Sequence, residues 1–231
     1  MKAETAYHGA MGQLFAAQAT NSAYNAHTDR PAMLGLAGDV AGLSVLDLGC
    51  GAGHYAADLL ARGAARVVGV DGSESLLCAA RERIGDGADL HHHDLEEPLT
   101  FLADQSFDLV VMALVYHHLD AREQLLAEIR RVLRPGGALL VSTTHPTGDW
   151  TYFGGSYFAD ERAELPFGDG FVLSYWRMTL EQFLGELLSA GFVLERLLEP
   201  RAAEEAREID PRRYDKTHNR PSFLAVRLRR P

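Results

Sequence analysis

The chain has 231 residues, of which 47% are hydrophobic and 23% charged, with a formal net charge of −10. Those values exclude a disordered chain and fit one globular domain with a sizeable core. The acidic balance speaks against a general nucleic-acid binder, and two cysteines, Cys50 and Cys78, are too few for a disulfide framework, so a reduced, cytoplasmic setting fits.

Met1 to Gln18 has neither a basic start nor a sustained apolar core, so no secretory signal is read there. The longest apolar run, Leu109 to Tyr116, is too short to span a bilayer. Met11, Leu14 and Phe15 predict a short helix; Arg30-Pro31 opens a second one through Leu36, with proline in its first turn.

The character then changes. Ser44 to Leu48 reads as a buried strand running into a glycine-rich turn. Helical spacing resumes at Tyr55, Leu59 and Leu60 and stops at Gly63. Arg66 to Asp71 is a second strand, after which Ser73 or Ser75 can cap a helix carrying Leu76, Leu77, Ala80 and Ile84. Asp89 to Asp94 is a weaker third strand, and Phe107 to Val115 a fourth, apolar enough for burial on both faces. A helix through Leu125, Ile129 and Leu133 ends at Arg134-Pro135-Gly136-Gly137, and Ala138 to Ser142 is a fifth strand. Strands alternating with helices in this way predict a parallel, right-handed α/β sheet.

Residues 146–178 break the rhythm. They are rich in Gly, Tyr, Phe and Trp, carry a poor helical signal, and read as a hairpin or lid. A helix follows from Thr179 to Ala190, then a strand from Phe192 to Leu198, a mixed-charge and solvated helix within 201–220, and a last strand from Ser222 to Leu228.

The most informative stretch is Val45-Leu46-Asp47-Leu48-Gly49-Cys50-Gly51-Ala52-Gly53. A strand delivers a glycine turn to a helix N-terminus, where a ligand can approach the backbone and free N–H groups await an anionic group. Gly51-x-Gly53-x-x-Ala56 also satisfies a relaxed dinucleotide fingerprint. Against that stands Asp47, whose charge would face a pyrophosphate, and the packing of Gly49, Gly51 and Gly53 into the loop itself.

Here the chain resembles the class I S-adenosylmethionine-dependent methyltransferases. Asp47-x-Gly49-x-Gly51-x-Gly53 matches their first motif, Asp71 closes the second strand 18 residues after Gly53, and Asp94 comes 23 residues later. Phe107 to Val111 and Val132 to Gly137 match later motifs. The resemblance covers residues 40–145, and within the family the chain looks most like small-molecule methyltransferases of the ubiquinone/menaquinone-biosynthesis type. It implies a Rossmann-like seven-stranded sheet of order 3-2-1-4-5-7-6, with the last strands antiparallel and helices on both faces. The cofactor it implies is S-adenosylmethionine. Asp47, Gly49, Cys50, Gly51 and Gly53 would lie at its methionine part, Asp71 with Gly72 at the ribose, Asp94 with Leu95 at the adenine, and Ala113 near the sulfonium. Tyr24 and Arg30 belong to an N-terminal segment that covers this pocket in related enzymes, where Arg30 could pair with the cofactor's carboxylate.

Methyl transfer from a sulfonium needs alignment, and a base only when the nucleophile arrives protonated. His117 and His118 follow the fourth strand at its C-terminal end, where open α/β sheets bind ligands, so one of them, His117 first, is the candidate base or orienting group. His145, Trp150, Tyr157, Tyr175 and Trp176 are the candidate substrate contacts. The triplet His91-His92-His93 points to alternate faces of a strand and predicts no metal site. Cys50 reads as a small filler in the loop.

The expectation is therefore one domain over 1–231: an N-terminal cofactor cover (1–42), a cofactor-binding core (43–145), a lid (146–178) and a C-terminal helix and strand hairpin (179–231). The expected function is methyl transfer from S-adenosylmethionine to a small molecule at oxygen or nitrogen, with neither nucleic acid nor membrane as partner. Three alternatives stay open: a nicotinamide-dependent oxidoreductase, a cofactor-binding enzyme that catalyses another displacement such as cyclisation, and an RNA or protein methyltransferase. Ala113-Leu114-Val115-Tyr116 lacks the Asn/Asp-Pro-Pro-Tyr pattern of nucleic-acid-base and glutamine methylation.

Overall fold

A computed structural model describes residues 7–167 and 170–231. The elements run α1 (Gly9–Asn21), a π-helical turn (Asn25–Asp29), α2 (Arg30–Ala37), β1 (Ser44–Leu48), α3 (His54–Ala61), β2 (Arg66–Asp71), α4 (Glu74–Ile84), β3 (Asp89–His92), β4 (Phe107–Ala113) and α5 (Arg122–Val132). Then come β5 (Leu133–Thr144), α6 (Pro146–Phe153), β6 (Glu161–Phe167), β7 (Phe171–Arg177), α7 (Leu180–Ser189), β8 (Val193–Leu198), α8 (Ala206–Ile209), α9 (Pro211–Asn219) and β9 (Phe223–Arg229).

Seven strands form one sheet in the order β3-β2-β1-β4-β5-β9-β8, and β6 with β7 forms a separate hairpin. The hairpin only shifts the numbering; within the main sheet the order is 3-2-1-4-5-7-6. β1 to β5 pair in parallel, while β9 runs antiparallel to both β5 and β8. The direction of winding reverses between β1 and β4, which opens a crevice at their C-terminal ends.

Alternation along the strands builds a core on each face. Leu46, Val68, Val110 and Leu139 point to one side, under α5 and α7 through Leu126, Ile129, Phe183 and Leu187. Val45, Val67, Leu109 and Leu140 point to the other, under α2 and α3 through Met33, Leu36 and Leu59. Strands covered on both faces read as continuous apolar runs, as β1 and β4 do. Ser73 caps α4 by accepting the Leu76 N–H, and Thr179 caps α7 by accepting the Gln182 N–H.

Several boundaries differ from the sequence reading. β3 stops at His92 and β4 at Ala113. β5 begins at Leu133, because a bulge between the Phe107–Leu133 and Leu109–Ala138 pairs carries the Arg134-to-Gly137 turn inside the strand. The lid contains a helix the composition hid: Pro146 opens α6, His145 caps it by accepting the Thr147 N–H, and Gly154 ends it at φ 72°. The charged stretch after residue 200 is two helices split at Asp210-Pro211, and it is only half solvated, since Tyr214 and Thr217 are buried. No helix among the described residues is long and apolar enough to cross a membrane.

Candidate functional site

A cavity of about 300 Å³ opens at the C-terminal ends of β1, β2 and β4. Its floor is the glycine loop. Gly49 has φ 70°, and a Cβ there would lie 2.3 Å from Val115 Cγ2, so only glycine fits. Gly51 has φ 54°, and a Cβ there would meet nothing within 4 Å; its open side faces the cavity. Gly53 serves packing, with Ala80 of α4 3.0 Å from where its Cβ would be. Cys50 is buried against Gly69, whose own Cβ would sit 2.9 Å from the sulfur.

Asp71 ends β2 beside this loop. Its Oδ2 accepts the Gly51 N–H at 2.8 Å and its Oδ1 the Ser73 N–H at 2.8 Å, so one carboxylate holds the loop and the start of α4 together. Burial raises its pKa, opposed by those two N–H groups. Asp94 folds back on its own turn, accepting the Glu96 N–H, and lines the cavity with Leu95. Glu96 in turn accepts the N–H groups of Asp120 and Ala121.

Across the cavity, Leu114 follows β4 in the left-handed region at φ 58°, held by the carbonyl and hydroxyl of Ser142. A bulky residue in that conformation stores strain, a feature common where a scaffold over-determines a site. The N-terminal segment closes the top with Tyr7, Phe15, Ala19, Asn25, Asp29 and Arg30, and the β6–β7 hairpin contributes Arg162, Val172 and Ser174. The two covers touch through Phe15 and Phe167, with ring centroids 6.2 Å apart.

Of the residues expected from sequence, Arg30, Gly49, Cys50, Gly51, Asp71, Gly72, Asp94, Leu95, Ala113 and His118 line this one cavity. The others do not. Tyr24 packs edge-on against Phe223, under the charged ends of Arg213 and Lys216. Asp47 lies beneath the loop, 1% exposed, with Oδ2 lacking a hydrogen-bond partner among the described residues. Burial first, and then the charge of Asp71, push it up to about 8.

Of the two candidate histidines, only His118 lines the cavity. His117 is buried away from the cavity, with Nδ1 3.0 Å from Thr143 Oγ1. His118 faces the cavity, with Nδ1 3.4 Å from the Ser174 carbonyl. A carbonyl only accepts, so Nδ1 carries the proton and Nε2 the lone pair. Burial lowers the His118 pKa to about 4, helped by Arg162, so the ring is neutral at pH 7.

The five expected lid contacts do not line this cavity. His145 pairs with Glu199 behind α6, and the Trp150 indole donates to the Gly155 carbonyl. The Tyr157 hydroxyl accepts the Leu180 N–H, Tyr175 donates to Asp149, and Trp176 donates to Asp120 between the guanidiniums of Arg122 and Arg162. Trp150 and Tyr175 satisfy their polar atoms within the lid, and Tyr157 and Trp176 do so against Leu180 and Asp120, while Arg162, Val172 and Ser174 of the hairpin line the cavity. His91 and His93 flank Phe101 while His92 turns to the Gly72 carbonyl, as alternating strand faces require. Among the described residues no group of His, Cys, Asp or Glu is placed to hold a metal ion.

The sequence reading missed Asp29, His54 and Tyr55. Asp29 is 2% exposed, and its Oδ2 accepts the Tyr55 hydroxyl at 2.6 Å. Burial raises it to about 6, against the pull of Tyr55, Ser142 and Arg30. His54 opens α3 and is held near 4 by burial and by Arg30 and Arg83. The acid-Arg-Pro start of α2 was the one available signal for Asp29.

Three buried acids, Asp29, Asp47 and Asp71, surround the glycine loop. Asp29 and Asp71 line the cavity, where a pyrophosphate would meet carboxylates, whereas a ligand with ribose hydroxyls and positive groups complements them; Asp47, below the loop and pushed up to about 8, adds no charge there at neutral pH. The fold and this loop therefore define an α/β domain for an adenosyl cofactor with a cationic tail. Residues 46–141 match the family described as methyltransferase domain. A probable S-adenosylmethionine-dependent methyltransferase of Mycolicibacterium smegmatis is 45% identical over 108 residues, 47% of this chain and 40% of that protein. A ubiquinone biosynthesis O-methyltransferase of Aromatoleum aromaticum is 36% identical over 109 residues, 45% of each. The chain thus spans less than half the length of these two curated relatives. The crystal structure of an S-adenosylmethionine dependent methyltransferase from Mesorhizobium loti is 25% identical, with TM-score 0.71 over 92% of this chain and 100% of that one. Residues 46–141 thus carry a methyltransferase domain, and the chain has the fold of S-adenosylmethionine-dependent methyltransferases.

Proposed function

We propose that the chain transfers a methyl group from S-adenosylmethionine to a small-molecule acceptor, at oxygen or nitrogen. The observation that carries this is one cavity with two chemically different ends. At one end Gly51, Asp71 and Asp94 suit an adenosine; at the other, His118, Ser174, Arg162 and the apolar side chains of Phe15, Leu119 and Val172 leave room for an acceptor. Bound S-adenosylmethionine supplies an already activated methyl group, so the protein's work is alignment and exclusion of water.

Each segment has a part in that reading. Residues 1–42 cover the cofactor, 43–145 bind it, 146–178 shape the acceptor end, and 179–231 complete the sheet. Asp71 takes the ribose hydroxyls, and Asp94 with Leu95 borders the adenine. Arg30 takes the cofactor's carboxylate. His118 accepts a hydrogen bond from the acceptor's O–H or N–H at Nε2 and sets its lone pair toward the methyl group. A double-covered cavity of this size suits a small acceptor better than a polymer, and the formal charge of −10 points the same way. The O-methyltransferase among the relatives supports the choice of acceptor class.

The test is incubation with methyl-labelled S-adenosylmethionine and separate pools of small metabolites, RNA and protein. Label is expected in the small-molecule pool. Label confined to RNA or protein, or turnover of a metabolite without label, would overturn the acceptor class or the reaction.

A further inference from the structure

The methionine end of the cavity contains an acid that the resemblance does not assign. The matching motif places Asp47 there, yet Asp47 lies below the loop and does not line the cavity. Asp29 does line it, from the π-helical turn just before α2. It is 2% exposed, and one of its oxygens is committed to the Tyr55 hydroxyl at 2.6 Å. The other, Oδ1, is buried with no hydrogen bond of good geometry among the described residues, and the pull of the Ser142 hydroxyl offsets its burial only in part.

An ionised carboxylate with one oxygen buried and unpaired is costly unless a positive group or donor completes it. The neighbours along the chain and across the loop supply no ammonium. Arg30, next in sequence, sends one guanidinium nitrogen to the Ala19 carbonyl and approaches Asp58 at 4.0 Å, and His54 is neutral. Arg30 acts on Asp29 through its charge but makes no hydrogen bond to it among the described residues, so Oδ1 still lacks a direct cationic donor, while Arg30 on the same cavity wall suits an anion. An acid and a base side by side complement a zwitterion, the free amino-acid end of a nucleoside thioether or sulfonium.

We propose that Asp29 is the residue that recognises the α-ammonium of the cofactor's amino-acid tail, held in register by Tyr55, and that it makes the site selective for adenosyl ligands bearing that tail. This rests on the adenosyl-cofactor reading above and assigns one of its contacts. Tyr55 is a positioning residue: its hydroxyl fixes which oxygen of Asp29 remains free.

The test is calorimetric binding with two probes. S-adenosylhomocysteine carries the tail; 5′-methylthioadenosine is the same adenosyl thioether without it. Asp29→Asn keeps the Tyr55 partner and removes the charge. It is expected to weaken S-adenosylhomocysteine binding at least about tenfold, while 5′-methylthioadenosine stays within about twofold, the loss of one charge-assisted hydrogen bond. A second measurement needs no variant. The wild-type chain should bind the deaminated S-adenosylhomocysteine, with its carboxylate retained, about tenfold more weakly than the intact ligand. Equal losses for both probes would assign Asp29 a structural role and overturn the proposal, as would intact S-adenosylhomocysteine affinity in Asp29→Asn. Equal wild-type affinity for the deaminated ligand would overturn it too. If the wild-type chain bound neither probe, the adenosyl-cofactor reading itself would fall.

Discussion

Asp71→Ala is expected to lower S-adenosylmethionine affinity by about 100-fold or more. Two losses combine. By the proposed assignment the carboxylate at the end of β2 accepts both ribose hydroxyls, and each hydrogen bond to a charged group contributes about 1.5–3 kcal/mol. The same carboxylate holds the Gly51 and Ser73 N–H groups at 2.8 Å each, so its removal also frees the loop that shapes the floor. The fold should tolerate the change better than the site does. Burial raises the pKa of Asp71, so ionising it opposes folding: the bias favours the folded state at low pH and is lost as pH rises through its folded pKa. Calorimetric titration beside a thermal melt separates the two effects. An unchanged affinity in a folded Asp71→Ala protein would remove Asp71 from the site.

His118→Ala is expected to reduce turnover about 100-fold at saturating cofactor, with S-adenosylmethionine affinity within about threefold of wild type. The acceptor, not the cofactor, loses its orienting partner. His117→Ala should behave differently, because His117 bonds Thr143 in the core: its effect belongs on melting temperature, with turnover of the surviving folded protein little changed. The pH profile adds a sign. His118 is held down to about 4, so its neutral form persists across the neutral range, and its contribution to the acid limb of turnover should lie near pH 4. A limb near 6.5 that vanished in His118→Ala would contradict its buried position. The neutral ring also favours the folded state above pH 6.5, an advantage lost progressively as pH falls from 6.5 to about 4.

What could be read from the sequence follows a physical division. β1 and β2 begin and end where the apolar runs do, because strands buried on both faces leave no ambiguity. The glycine loop was legible because backbone geometry there admits no side chain at Gly49. The lid was not. Its aromatics marked it as an unusual segment, but residue type does not say which face of a hairpin meets a cavity. Nor does register: Arg162 pairs with Trp176 and Ser174 with Glu164, which puts all four on one face of the hairpin, and only tertiary packing sets Arg162 and Ser174 along the cavity while Trp176 turns to Asp120. Asp29 was hidden for another reason. Its partner Tyr55 lies 26 residues along the chain, and no local pattern records that a polar residue will be buried by a helix folded over it. Leu114 in the left-handed region carries no sequence signal either, since leucine gives no warning of it.

The central claim is that this cavity binds S-adenosylmethionine through Asp71 and the Gly49-to-Gly53 loop. Its most direct test is calorimetric titration of the full chain with S-adenosylmethionine and with NADH, side by side. The structure predicts one site per chain for S-adenosylmethionine and no heat of binding for NADH, whose pyrophosphate would face Asp29 and Asp71. Saturable binding of NADH without binding of S-adenosylmethionine would contradict it.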